Sequence, residues 1–180
     1  MACTNTVQTF RMRTLLTLIL ILTGIASTYG FSEIPDEYRL ETTADYRALE
    51  PQIREAIAWL VTTPLDMEHA PERERTARFF LAWLEGNPDA HISWDEKTAE
   101  LIGPDRSGHL ICIFWAGYTE YALTHQAWDD RVKCTTAGLE TVVAFHDRNR
   151  ELMIDSPTLD HYRTLIADKK LLKFVRKHLK

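Results

Sequence analysis

Three side chains in this sequence have the types and spacing to do chemistry: His109, Cys112 and His146. His109 and Cys112 open the stretch "HLICIFWAGYTEYALTH", residues 109–125, and stand three apart, near one face of a helix. If the following helix runs back beside this one, His146 returns to the same end. Two imidazoles and a thiolate are a three-ligand zinc set, the basis for a small metal-binding protein or hydrolase. Against it, 37 positions separate His109 from His146, which matches no compact metal motif. The alternative is two helix-end histidines and a core cysteine, with His146 placed to suit a helix dipole.

Other chemistry finds little footing. The chain has no G-x-S-x-G, H-E-x-x-H, glycine-rich phosphate loop or C-x-x-C-H. A cysteine in an apolar helix has its thiol pKa raised, which opposes nucleophilic use. The carboxylate pairs Glu72/Glu74, Asp95/Glu96 and Asp129/Asp130 fall on helix starts and loops, where they cap and solvate. "HISWDEK" and "GPDRSG" could border a groove with Trp94, Asp95, Asp105 and Arg106 as its rim. The simpler alternative is a surface loop pinned by one buried tryptophan. No cofactor is expected, and a structural or protein-interaction role is favoured over an enzyme.

The elements that must position these residues are helical. Ile53, Ala56, Ile57, Leu60 and Val61 repeat at three and four, predicting a helix from about Tyr46 or Pro51 to Val61. "PERERTARFFLAWLEGNP" predicts the next, with Pro71 in its first turn and Thr76, Phe79, Phe80, Trp83 and Leu84 buried. Gly86 is expected at its C′ position, and Pro88 prevents re-entry. "KTAELI" could add a turn or two. Asp129 or Asp130 caps a helix from Arg131 to about His146, and Ser156–Pro157 starts a short one. Leu171, Leu172, Val175 and Leu179 mark a last helix, continuous with it or separate. Candidate strands are too few and short for a sheet. The expected fold is an all-α single-domain bundle of about five helices around a central hairpin, 109–125/131–146.

Within that hairpin, residues 109–125 are apolar around most of the helix circumference, as in a helix enclosed by others. Gly117 and Ala116 face Ala137, Gly138 and Ala144 as small residues that permit close helix contact. An antiparallel hairpin would set Cys112 and Cys134 apart by about 13 Å in height. A disulfide needs Cα atoms within about 7 Å, so geometry predicts free thiols where a cysteine pair in an exported chain suggests a bridge.

The chain has 180 residues, 45% hydrophobic and 26% charged, ordinary for a folded domain. In "RMRTLLTLILILTGIASTYG", Arg11 and Arg13 precede an apolar run and then small residues, the order of a secretory signal peptide ending near Ala26. The run of about a dozen residues is short for a bilayer span of ~20. Uncleaved, it would be an anchor. The organisation expected is signal peptide 1–26, extended lead-in 27–45 and helical domain 46–180, in the periplasm or outside the cell. From Ser27 onward only Arg11 and Arg13 are lost from the 21 basic residues, so 26 acidic face 19 basic. That acidic balance argues against general nucleic-acid binding. "DKKLLKFVRKHLK" at the C-terminus instead carries six Lys or Arg and one Asp. It is expected to dock its Leu/Val face on the acidic body, or to touch an acidic partner or membrane surface.

Taken together, "AIAWLVTTPL", "RFFLAWLEGNPDAHISW", "FWAGYTEYAL" and "AGLETVVAFH" resemble a group of small exported helical proteins of Bacteroidetes-type bacteria, over most of residues 50 to 148. The resemblance implies an exported all-helical domain and brings with it no activity, cofactor or site residue.

Overall fold

In a computed structural model of the chain, the described residues are 34–35, 37–92, 95–102 and 108–180. The expected signal peptide lies outside them. Seven α-helices occupy the described residues, with no strand: α1 Thr43–Thr62, α2 Ala70–Gly86, α3 Glu96–Ile102, α4 Gly108–His125, α5 Arg131–Arg148, α6 Pro157–Ala167 and α7 Leu171–His178. A short 3₁₀ turn at Arg150–Leu152 links α5 towards α6. The all-helical expectation holds. The count of about five is corrected to seven, because "KTAELI" becomes α3 and the C-terminal pair divides.

Each difference has a local cause. Helix α1 starts at Thr43, upstream of its apolar stripe, because Thr42 and Asp45 form a capping box: the Asp45 N–H donates to Thr42 Oγ1 at 3.3 Å, and the Thr42 N–H donates to Asp45 Oδ2 at 2.8 Å. Pro51 sits inside α1 on its exposed side without ending it. Helix α3 is started by Asp95, whose carboxylate accepts from the Thr98 N–H at 2.9 Å. Gly86 is not a C′ residue: it is the last residue of α2, and Asn87 follows with φ −72°. Its missing side chain has a different use, since a Cβ there would stand 2.1 Å from the Tyr46 hydroxyl. Helices α6 and α7 separate at Lys169, which takes a left-handed φ of 57°. The Lys170 N–H then closes on Leu165 O at 2.7 Å and the Lys169 N–H on Ile166 O at 2.9 Å, the Schellman arrangement with lysine in glycine's usual place.

Among the described residues, the α4–α5 pair makes the most extensive helix contact. Leu110, Cys112 to Thr119 and Ala122 of α4 are all buried, so this helix is enclosed on nearly every side. Asp130 caps α5 by accepting from the Lys133 N–H. The two helices meet at glycines. A Cβ on Gly117 would lie 2.9 Å from Ala137 O and 2.2 Å from Thr141 Oγ1. A Cβ on Gly138 would lie 2.8 Å from Phe114 O and 2.7 Å from the Phe114 ring. Ala144 takes no part in this small face, being exposed. Cys112 and Cys134 are both buried and free.

Alanine at Gly138 would gain about 1 kcal/mol of helix propensity but must push against both a ring and a backbone carbonyl. Gly138→Ala is therefore expected to destabilise the protein by about 1–3 kcal/mol in urea unfolding. Gly108→Ala, where an added Cβ meets nothing within 4 Å, is the control expected to lose no stability. Equal stability of Gly138→Ala and the native chain would contradict the tight contact.

Candidate functional site

Helix α2 presents two stripes. Thr76, Phe79, Phe80 and Trp83 enter the core. Ala70, Glu74, Ala77, Arg78 and Leu81 face a groove of about 510 Å³, whose other wall is Leu60 of α1 and Gly108, His109, Cys112 and Ile113 of α4. Arg73 lies between the two stripes and is 5% exposed. Alanines at 70 and 77 keep the α2 wall low, and Gly108 does the same at the start of α4.

Arg73 is the one charged side chain among the buried polar residues described. Its Nη1 donates to Leu60 O at 2.9 Å, and its Nη2 donates to Thr63 O and, at 3.3 Å, to Pro64 O. These carbonyls belong to the end of α1 and the residues just after it, where backbone acceptors lack helical partners and the dipole is negative. The guanidinium also lies over the Trp59 and Phe145 rings, 5.6 and 5.4 Å from their centroids. Burial pulls its pKa below the ordinary arginine value, while arginine stays charged in proteins. The sequence reading missed this residue by treating "PERER" as a solvated first turn. The available signal was position: Arg73, Thr76, Phe80 and Trp83 share one helical face.

The groove has a mainly apolar floor, with Arg73 also part of its lining. Cys112 lines it, and burial pushes its thiol up to about 11 despite the nearby Arg73 charge. Cys134, in the hairpin, is likewise pushed up to about 11 by burial and donates to Ala127 O at 3.3 Å. At neutral pH neither is the thiolate that nucleophilic attack needs. The polar edge is formed by exposed His109 and by Arg78, whose Nη2 donates to Glu74 Oε1 at 2.6 Å.

His109 and Cys112 do share this groove, but His146 does not join them. It is fully buried, and Arg163 Nη2 lies 2.8 Å from its Nδ1. An arginine N–H can only donate, so Nδ1 accepts and Nε2 carries the hydrogen, which it donates to Ile154 O at 3.0 Å. Arg163 is held in turn by Asp147 at 2.7 Å and by Asp160. Both ring nitrogens of His146 are thus committed to fixing the α5–α6 connection. Among the described residues no three His, Cys, Asp or Glu side chains are grouped to hold a metal ion. Of the four rim residues, Trp94, Asp105 and Arg106 lie outside the described residues. Asp95 caps α3 and pairs with Arg131, whose guanidinium, with the Thr98 donors, holds the carboxyl well below the usual carboxylate range.

Arg73→Met should leave the carbonyls of Leu60, Thr63 and Pro64 without their donor and lower unfolding free energy by about 1–3 kcal/mol, measured by denaturant titration. Arg73→Lys, lacking the planar fork, should recover only part of that loss. Cys112 and Cys134 should react with a thiol probe far more slowly in the native chain than in urea at pH 8, and rapid native labelling of both would contradict their burial. No protein family, curated protein or solved structure matches the chain.

Proposed function

We propose that this chain is an exported, non-catalytic helical domain with a protein-interaction role, and that the groove between α1, α2 and α4 receives an apolar segment of its partner. The carrying observation is the groove itself: about 510 Å³, floored by Leu60, Ala77, Cys112 and Ile113 and edged by Arg78, Glu74 and His109. An apolar floor within a polar edge is the anatomy of a protein interface. Leu81, 38% exposed, stands on its open side, where a partner side chain would cover it. The basic-apolar-small order of residues 11–27 supports export to the periplasm or beyond. Among the described residues the groove's thiol, Cys112, is held protonated by burial, which supports binding over turnover.

The test is site-specific photo-crosslinking in the cell. A benzophenone side chain placed at Leu81 should yield a discrete protein adduct that is lost when Ala77→Arg fills the groove. The same probe at exposed Glu55 of α1 should not yield that adduct. An adduct insensitive to Ala77→Arg would overturn the proposal. So would native mass spectrometry showing a small apolar molecule retained by the native chain and lost in Ala77→Arg, which would make the groove a ligand pocket.

A further inference from the structure

The chain segregates its charge. Of 21 Lys and Arg residues, six fall between Lys169 and Lys180, a stretch with no Asp or Glu, leaving 15 against all 26 acidic residues elsewhere. Helix α7 packs on α5 and α6 through Leu171 and Val175, both buried, with Phe174 half-buried beside them. At about 100° per residue, Lys173, Arg176 and Lys177 then fall together on the opposite side, Lys180 follows just past the helix end, and all four are exposed. His178 faces α3 instead, 3.3 Å from Glu100. Lys170 is paired with Asp168 at 2.7 Å, and no carboxylate among the described residues forms a direct ion pair with Lys173, Arg176, Lys177 or Lys180, although Arg176 lies near enough to Asp130 to help lower its pKa. Leu172, 36% exposed, flanks the stripe.

From this geometry we infer that the outer face of α7 is a docking surface for an anionic phospholipid bilayer, held by charge and not by insertion. The apolar face of α7 is already spent on α5 and α6, so the helix has little more than charge to offer. No helix among the described residues is long and apolar enough to cross a membrane. The stripe is mainly lysine, which is depleted in protein interfaces, where arginine is favoured for its planar, directional fork. Flexible ammonium groups suit a diffuse field such as a lipid surface, where each adds favourable attraction that falls off within a Debye length. The acidic remainder of the chain would be repelled by the same surface. Binding therefore orients the domain, with α7 against the lipid and the rest held away.

The experiment is flotation of the full chain with vesicles of pure phosphatidylcholine or of phosphatidylcholine with phosphatidylglycerol. Because the apolar N-terminal run can bind lipid by itself, the readout is the preference for anionic over neutral vesicles. In low salt that preference should be on the order of tenfold or more, and it should collapse in 0.5 M NaCl. It should also be lost in the variant Lys173→Gln, Arg176→Gln, Lys177→Gln, Lys180→Gln, whose circular dichroism and melting should match the native chain because all four positions are exposed. Equal binding to both vesicle types, or an anionic preference kept by the quadruple variant, would overturn the inference. So would salt-sensitive self-association abolished by the quadruple variant together with no anionic-lipid preference, which would assign the stripe to the acidic face of a second copy.

Discussion

The most extensive helix contact among the described residues is that of α4 with α5, where each helix sets a glycine against the other's backbone. Gly117 faces Ala137 O and Gly138 faces Phe114 O, so neither helix can retreat without opening a gap along the other. Other parts of the fold take their places from this pair. The start of α4 forms one wall of the groove, and Phe145 of α5 lies under the Arg73 guanidinium. At the end of α5, His146 and the capping residue Asn149 hold the segments that follow and precede: His146 donates to Ile154 O, and Asn149 Oδ1 accepts from the Leu65 N–H at 2.7 Å. Helix α7 rests on α5 as well. A displacement of one helix against the other would therefore be felt at the groove and the connecting loops together.

Arg73 solves a separate problem. Leu60 near the end of α1 is buried, and its carbonyl would otherwise lack this donor, at a cost of about 1–3 kcal/mol if left unpaired; the part-buried carbonyls of Thr63 and Pro64 lie just beyond the helix end. One guanidinium reaches all three and stacks on two rings while doing so. The positive charge that remains is met by the dipole of α1 and, without a direct ion pair, by the nearby Asp66 carboxylate. The neighbouring Cys112 stays protonated in these surroundings, and the groove beside it offers shape and apolar surface in place of reactivity.

The parts of the fold that could be read from residue order were those written in periodicity and in small residues. The stripes of α1 and α2, the enclosure of α4, the Asp130 cap and the Gly117–Gly138 contact all have direct signatures. What escaped was written in residues used outside their habitual positions. Both left-handed helix ends fall on Gln126 and Lys169, not on glycine, so nothing marked the break between α6 and α7. Gly86 looked like a helix terminator and is instead a clearance for a tyrosine hydroxyl. The groove was half legible: His109 and Cys112 were singled out, but for a metal set whose third member, His146, is tied to Arg163 and a backbone carbonyl. Its other wall needs the crossing of α1 and α2, a tertiary fact that helical periodicity does not encode.

The reciprocal glycines also constrain how such a chain can diverge. Exposed helix positions can drift one at a time, because each change meets mostly water. Gly117 and Gly138 cannot drift in that way, since enlarging either pries the hairpin apart and relaxes the fit at the other. A lineage descended from this sequence would trade its loops, its charges and even its groove lining long before it traded either glycine. Distant kin, if they share the architecture, would then be told less by any reactive residue than by two small residues held at a fixed interval across one helical turnaround.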